Sequence, residues 1–150
     1  MGNLFMAFLA SIALVGCVAT SGGSTVSLTK QDLVHHHYNL ESVNGELVTD
    51  LLGVNLNEQK RPDIEFQEGF RLAGIAGCNR FFGQGELSNG VLKMLPGGST
   101  MMACQPELSK IEQTVLNVLN EGAQVTAFEN KLTLKAQSGE LVYVLADYMH

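Results

Sequence analysis

The chain has 150 residues, a mass of 16.2 kDa and a net charge of −6. Its length predicts a single domain, and its acidity argues against nucleic acid as a partner, because phosphate binding requires clustered Lys and Arg. Apolar residues make up 45% of the chain and cysteines number three, which excludes both an intrinsically disordered protein and a fold built mainly on disulfides.

The first sixteen residues, MGNLFMAFLASIALVG, carry no charged side chain. This run is shorter than the ~20 residues of a membrane-spanning helix, so we interpret residues 1–16 as a signal peptide. Residues 14–17, Leu-Val-Gly-Cys, resemble the lipobox of bacterial lipoproteins, in which the cysteine carries the lipid. We therefore predict a lipid on Cys17 and the membrane as a partner through this anchor. Because Val18 rather than Asp follows the cysteine, we expect the periplasmic face of the outer membrane.

Residues 17–28 are rich in Gly, Ser and Thr and are predicted to form a flexible tether. The domain is then expected over residues 29–150, beginning with a helical turn after Thr29. Alternating apolar and polar residues predict strands at 38–43 and 63–66. Residues 46–60 indicate a short strand followed by a variable surface loop.

Further strands are predicted at 70–75, 79–87 and 91–95, and three turn signals separate these runs from their neighbours. One helix follows, with Pro106 at its first position and Gly122 at its end. Its apolar residues repeat at helical spacing and form one stripe: Leu108, Ile111, Val115, Val118 and Leu119. Strands are predicted again at 124–128, 131–135 and 140–145.

Strands joined by tight turns pair antiparallel, and a helix with a single apolar stripe needs a sheet to cover it. We therefore predict an α+β fold with about seven or eight strands, estimated from these patterns. The strands form a strongly bent antiparallel sheet or a half-open barrel, covered by one main α-helix.

Two motifs, GCNRFFG at residues 77–83 and STMMAC at residues 99–104, resemble those of the META domain family. The resemblance extends from about residue 33 to residue 148. It implies a half-open antiparallel barrel with a packed helix, and a role in envelope tolerance of heat shock and antibiotics. It implies no enzymatic activity and no cofactor. Many members carry Trp where Tyr38 stands, and Tyr38 is expected to serve as the corresponding core anchor.

Cys78 and Cys104 remain after Cys17 is assigned to the lipid. In an oxidising periplasm they could form a disulfide closing a loop of about 25 residues, which would contribute about 3 kcal/mol. Alternatively, both are buried free thiols that pack as small apolar residues. The sequence leaves the two interpretations open.

The motif residues could also line a ligand cleft. Arg80 offers a planar donor fork for a carboxylate or phosphate. In the alternative interpretation, Asn79 bonds to the backbone at a bend and Arg80 pairs with a surface acid. The candidate cleft residues are Asn79, Arg80, Phe81, Phe82, Thr100 and Met101.

Histidines at 35, 36 and 37 do not predict a metal site, because alternate residues of a strand point to opposite faces. Gly83 and Gly85 do not form a dinucleotide fingerprint, and no GxSxG elbow is present. We therefore expect no catalytic residues, no metal and no cofactor.

The combined prediction is a non-catalytic envelope lipoprotein that acts as a binding module in stress tolerance. The expected partner is an envelope protein or a hydrophobic ligand, and the expected state is a monomer. The alternative is a pilot- or chaperone-like factor for assembly of an envelope or secretion component, which would use an exposed sheet edge.

Overall fold

The computed structural model describes residues 28–52 and 61–146. The predicted signal peptide, the predicted lipidation site Cys17 and residues 17–27 of the predicted tether lie outside the described residues. Most of the predicted variable loop, residues 53–60, lies outside them as well.

The described elements alternate short strands with tight turns, and they include one long helix. A 3₁₀ turn at Lys30–Asp32 precedes the first strand, and another spans Glu68–Phe70. In chain order the elements are β1 (His37–Val43), β2 (Glu46–Leu47), α1 (Val48–Leu52), β3 (Asp63–Gln67), β4 (Arg71–Ile75), β5 (Arg80–Ser88), β6 (Val91–Met94), β7 (Gly98–Ser99), α2 (Pro106–Glu121), β8 (Ala123–Phe128), β9 (Lys131–Ala136) and β10 (Gly139–Leu145).

Eight of the strands form a closed antiparallel barrel in the order β1-β3-β4-β5-β6-β8-β9-β10. The ring closes because β10 pairs with β1, from Tyr38 opposite Leu145 to Val43 opposite Leu141. A register shift between Leu40 and Ser42 bends β1 at this seam, as bulges do. The two short strands attach to the ring: β2 pairs with β1, and β7 with β5.

The predicted bent antiparallel sheet and covering helix are thus present, but the barrel is closed rather than half-open. Closure pairs the exposed edges that an open sheet would leave. No turn signal indicates this pairing, because its two strands are separated by about a hundred residues of sequence.

The barrel interior is filled by alternate residues of the strands, as the pleat requires. Leu40, Ile64, Phe66 and Tyr143 are among the buried residues. Tyr38 is buried and meets Phe66 edge-on, with ring centroids 6.0 Å apart. Tyr38 is therefore a core anchor, as its position predicted.

Helix α2 begins at Pro106 and ends before Gly122, which has a φ of 97°. It packs against β6, β9 and β10 through four buried residues: Ile111, Val115, Val118 and Leu119. The helix therefore closes one side of the barrel. None of the helices in residues 28–52 and 61–146 is long and apolar enough to cross a membrane.

Two elements were not predicted. Helix α1 occupies part of the stretch expected to be a strand and a loop, and it buries Val48. Strand β7 follows Pro96, where the pattern predicted that pairing ends. Both are only a few residues long, too short for periodicity to identify.

Candidate functional site

The first motif spans the connection between β4 and β5 and the start of β5. In the connection, the N–H of Ala76 donates to the carbonyl of Asn79 over 3.0 Å. Gly77 approaches α2 so closely that a Cβ there would lie 2.2 Å from the carbonyl oxygen of Leu108 and 2.7 Å from the Cβ of Glu112. Only glycine fits this contact without a shift of the helix.

Asn79 is 4% exposed, and its amide is fully used. Its Nδ2 donates to the carbonyl of Met102 (3.2 Å) and to Oε1 of Glu112 (2.9 Å). Its Oδ1 accepts from the hydroxyl of Thr100 (2.9 Å) and from the N–H of Met102 (2.7 Å). A buried amide with both ends satisfied holds three segments in a fixed arrangement.

Glu112 connects helix α2 to this arrangement. Its Oε2 accepts the N–H groups of Cys78 (3.1 Å) and Asn79 (2.8 Å). Hydrogen bonds to a carboxylate are stronger than those between neutral groups. The glutamate therefore joins the helix to two consecutive backbone N–H groups in the first motif's turn.

A disulfide joins Cys78 to Cys104, with the two Cα atoms 6.0 Å apart. It links two of the three segments that the Asn79 amide joins, and the Nδ2 of Asn79 lies 3.3 Å from the Cys104 sulfur. We call this cluster the Asn79 hub: Cys78, Asn79, Thr100, Met102, Cys104 and Glu112.

The sulfurs of Cys78 and Cys104 and a carboxylate oxygen of Glu112 lie within 4.8 Å of one another. This is a spacing that a metal ion could bridge. The thiolate is the form of cysteine that binds metals, however, and both sulfurs are bonded to each other. Glu112 already accepts three hydrogen bonds. The cluster is therefore organised to hold backbone segments together.

The remaining predicted site residues divide between the two faces of β5. Phe81 points inward and is buried, whereas Phe82 is 51% exposed and Arg80 lies on the same outer face. Met101, in the loop beside Arg80, is 94% exposed. Among residues 28–52 and 61–146, the Arg80 guanidinium has no hydrogen bond or ion pair, so the surface acid considered as its partner is not in contact with it.

A cleft of about 510 Å³ lies between α2 and the β6–β7 segment, a volume within the usual range for ligand sites. We call it the helix–edge cleft. It is lined by Phe81, Lys93, Met94, Leu95, Pro96, Gly97, Gly98, Ser99, Leu116 and Asn120. Phe81 is the one predicted cleft residue that lines it.

The polar groups of the helix–edge cleft are uncommitted. Lys93, Ser99 and Asn120 form no side-chain hydrogen bond or ion pair with any part of the chain that the structure describes. The lining includes one positive side chain and no acidic one. The cleft thus combines an apolar floor with donors free for a ligand, and it favours a negative group.

The histidines and one buried tyrosine lie elsewhere. His37 Nε2 is 2.8 Å from Oδ2 of Asp63, while His36 Nδ1 contacts the carbonyl of Val34 at 3.2 Å. Tyr143 is fully buried in the barrel and its hydroxyl has no partner among the described residues. Burial, with a smaller contribution from the Asp63 carboxylate, raises the pKa of Tyr143 far above its ordinary value.

A family model described as the META domain matches residues 31–148. The chain belongs to the META domain family. The resemblance of its two motifs to those of this family is thereby confirmed.

Known proteins similar to this META domain chain include Heat shock protein HslJ of Escherichia coli (strain K12). It is 39% identical over 146 residues, which cover 96% of each chain. An NMR structure of a protein with 40% identity matches with a TM-score of 0.69, covering 82% of this chain and 99% of the other. An NMR structure of a protein from Burkholderia xenovorans, 23% identical, matches with a TM-score of 0.60 over 79% and 87% of the two chains, and it shows the fold alone.

Sequence reasoning did not find two groups that matter in this META domain. Glu112 lies more than thirty residues from the turn it binds, and its helical surface position resembles that of any solvated acid. Lys93 and Asn120 become neighbours of one cleft only because α2 packs beside β6. For Glu112, the glycine at position 77 was an available signal, since glycine often marks close approach of two backbones.

Proposed function

We propose that this META domain chain is a non-catalytic, lipid-anchored envelope protein that binds a partner molecule during stress. The observation that carries the proposal is the helix–edge cleft, in which Lys93, Ser99 and Asn120 are uncommitted beside an apolar floor. Pockets of this composition bind ligands through apolar contact and orient them through a few polar groups.

The stress role is supported by the relative named Heat shock protein HslJ, whose alignment with this chain extends over almost the full length of both. Identity of this order over a whole chain supports a shared general role. We propose that the role extends to tolerance of antibiotics, as the family resemblance implies.

The non-catalytic part of the proposal is supported by what the motif residues do. Asn79 and Glu112, the most suggestive polar pair, bind each other and the backbone around them. Cys78 and Cys104 are bonded together rather than available as nucleophiles. The groups that could have carried acid–base or thiol chemistry are therefore used to hold the fold.

The proposed location, anchored at the periplasmic face of the outer membrane, rests on the sequence around Cys17. A disulfide within the domain is consistent with an oxidising compartment. Incorporation of labelled palmitate by the wild type, and its loss in Cys17→Ser, would test the anchor.

The binding role is tested by complementation of a deletion strain under heat and antibiotic stress. We expect wild type to restore survival and Asn120→Trp to fail, because the indole would fill the cleft. Asn117→Trp is the matched control: Asn117 is exposed on the same helix but does not line the cleft. Equal rescue by both variants would contradict a role for the cleft, and an unimpaired deletion strain would contradict the stress role.

A further inference from the structure

We propose that the helix–edge cleft binds an extended peptide segment, which adds as a strand to the free edge of residues 93–99 and places a carboxylate near Lys93. The inference rests on the proposed function in one respect, that this cleft is the binding site. The inference adds two points to the proposed function: the class of ligand, an extended peptide with a carboxylate, and the way that the ligand is held, by strand addition.

The cleft contains a strand edge that nothing in the described chain covers. β6 pairs with β8 only through Val91 and Leu92, and β7 pairs with β5 alone. At the end of β6 (Lys93 and Met94) and along β7 (Gly98 and Ser99), the side facing away from β5 therefore has no partner strand in residues 28–52 and 61–146. The three residues that join these two edges lie outside any strand, and Pro96 among them has no N–H to donate. Pairing on both sides protects the backbone N–H and C=O groups of strands in the closed ring. The groups on this edge lack that protection.

The register defines which backbone groups face the cleft. The N–H of Leu95 donates to Gln84 O over 2.8 Å, and the N–H of Thr100 donates to Arg80 O over 3.0 Å. Both bonds point toward β5. Because successive residues of an antiparallel strand direct their N–H and C=O groups to opposite sides, those of Met94 and Ser99 point away from β5.

A helix forms the other wall of the cleft. Leu116 and Asn120 stand one turn apart on α2 and face the strand edge, with Phe81 also lining the cleft. A groove between a strand edge and a helix suits an extended chain, whose backbone bonds to the edge while alternate side chains enter the groove. PDZ and PTB domains bind peptides by such strand addition.

The charge of the cleft lining favours acidic peptides. Lys93 is the one charged residue of the lining, and no acidic side chain accompanies it. Glu86 stands opposite Lys93 in the β5–β6 register, but the two form no ion pair. In a chain with a net charge of −6, this lining is a local exception that attracts a carboxylate.

The test uses the full lipidated chain in lipid nanodiscs and a phage library of random heptapeptides, with Asn120→Trp protein for counter-selection. Enriched sequences are synthesised and measured by fluorescence anisotropy. We expect peptides with at least one acidic residue, and we expect hydrogen–deuterium exchange to slow in residues 94–99 when they bind.

Two changes separate strand addition from simple occupation of the cleft. N-methylation of alternate peptide amides, in the register that faces the edge, should weaken binding about fivefold for each lost hydrogen bond. Lys93→Gln should weaken acidic peptides by up to about fivefold, whereas Lys110→Gln, an exposed helix lysine outside the cleft, should have no effect.

Equal affinity of N-methylated and unmodified peptides in both registers would overturn the inference. So would exchange protection that leaves residues 94–99 unchanged, or no enrichment over the counter-selection. If no peptide binds but Asn120→Trp still fails to complement the deletion strain, the ligand class is wrong and the proposed function stands. If Asn120→Trp complements fully, the proposed function itself fails.

Discussion

The Asn79 hub and the helix–edge cleft both lie beside α2, yet they use polar groups in opposite ways. In the hub, Asn79 and Glu112 have partners for their polar atoms. In the cleft, Lys93 and Asn120 have none within the described chain. The hub draws Cys78 and Asn79 from the first family motif and Thr100, Met102 and Cys104 from the second, so part of each motif holds the helix to the barrel. Of the free donors in the cleft, Lys93 and Asn120 lie outside the motifs, whereas Ser99 lies within the second one.

The largest effect expected on the hub side is from loss of the disulfide. Cys78→Ser with Cys104→Ser should lower the free energy of unfolding by about 3 kcal/mol, since the bridge closes a loop across 26 positions. Urea denaturation measures the change. Dithiothreitol should lower the stability of the wild type to that of the double variant and leave the variant unchanged. A wild type unaffected by the reductant would show that the bridge does not stabilise the hub.

Asn79→Ala should lower the free energy of unfolding by about 2 kcal/mol, because it leaves polar groups of Met102 and Glu112 without partners at a buried site. Asn117→Ala, at an exposed position on α2, should change it by less than about 0.5 kcal/mol. If the two variants unfold at similar urea concentrations, the hydrogen bonds of Asn79 contribute no more to stability than an exposed surface residue does, which would contradict the prediction.

Tyr143→Phe sharpens the comparison by removing a buried polar group that has no partner. We expect the free energy of unfolding at pH 7 to stay the same or rise by up to about 1 kcal/mol, because only an unsatisfied hydroxyl is lost. If urea denaturation instead shows that the free energy of unfolding falls by more than about 1 kcal/mol, the hydroxyl has a partner in solution.

The raised pKa of Tyr143 gives the same variant a pH signature. Below pH 10 the tyrosine is neutral in both folded and unfolded chains and contributes no pH dependence. Above it the unfolded chain releases the proton while the folded chain retains it, so wild type should lose about 1.4 kcal/mol per pH unit at this site. Tyr143→Phe should lack that part of the alkaline loss.

The smallest effect on stability is expected in the cleft. Asn120→Trp should change the free energy of unfolding by less than about 0.5 kcal/mol, since Asn120 is exposed and makes no side-chain hydrogen bond in the described structure. Thermal denaturation beside Asn117→Trp measures this. Strong destabilisation by Asn120→Trp alone would mean that the cleft region is also structural.

The sequence predicted most of the local structure because its signals are local. Alternation identified β1 and β3, and Pro106 and Gly122 marked the ends of α2. Closure of the ring by β1 and β10 was beyond such reasoning, because nothing near Tyr38 indicates Leu145 as its neighbour.

The same limit applies to the candidate site. The structure brings Asn79 and Thr100 into contact. Alternation along β5 sends Phe81 inward and Arg80 outward, so the predicted cleft residues cannot line one cleft together. Glu112 and Lys93 acquire their roles from packing between distant segments. A single sequence carries no record of that packing.

Closure of the barrel also gives the molecule two distinct ends. The chain enters at His37 and leaves at Ala146, whose N–H donates to the carbonyl of His37 over 2.8 Å. Neighbouring strands alternate in direction around the ring, so the β3–β4 and β8–β9 turns share this end, and the β4–β5 connection with Asn79 lies at the opposite one. A chain tethered through its N-terminal side would thus stand with the β4–β5 connection, and the part of α2 that packs on it, facing away from the surface that holds it.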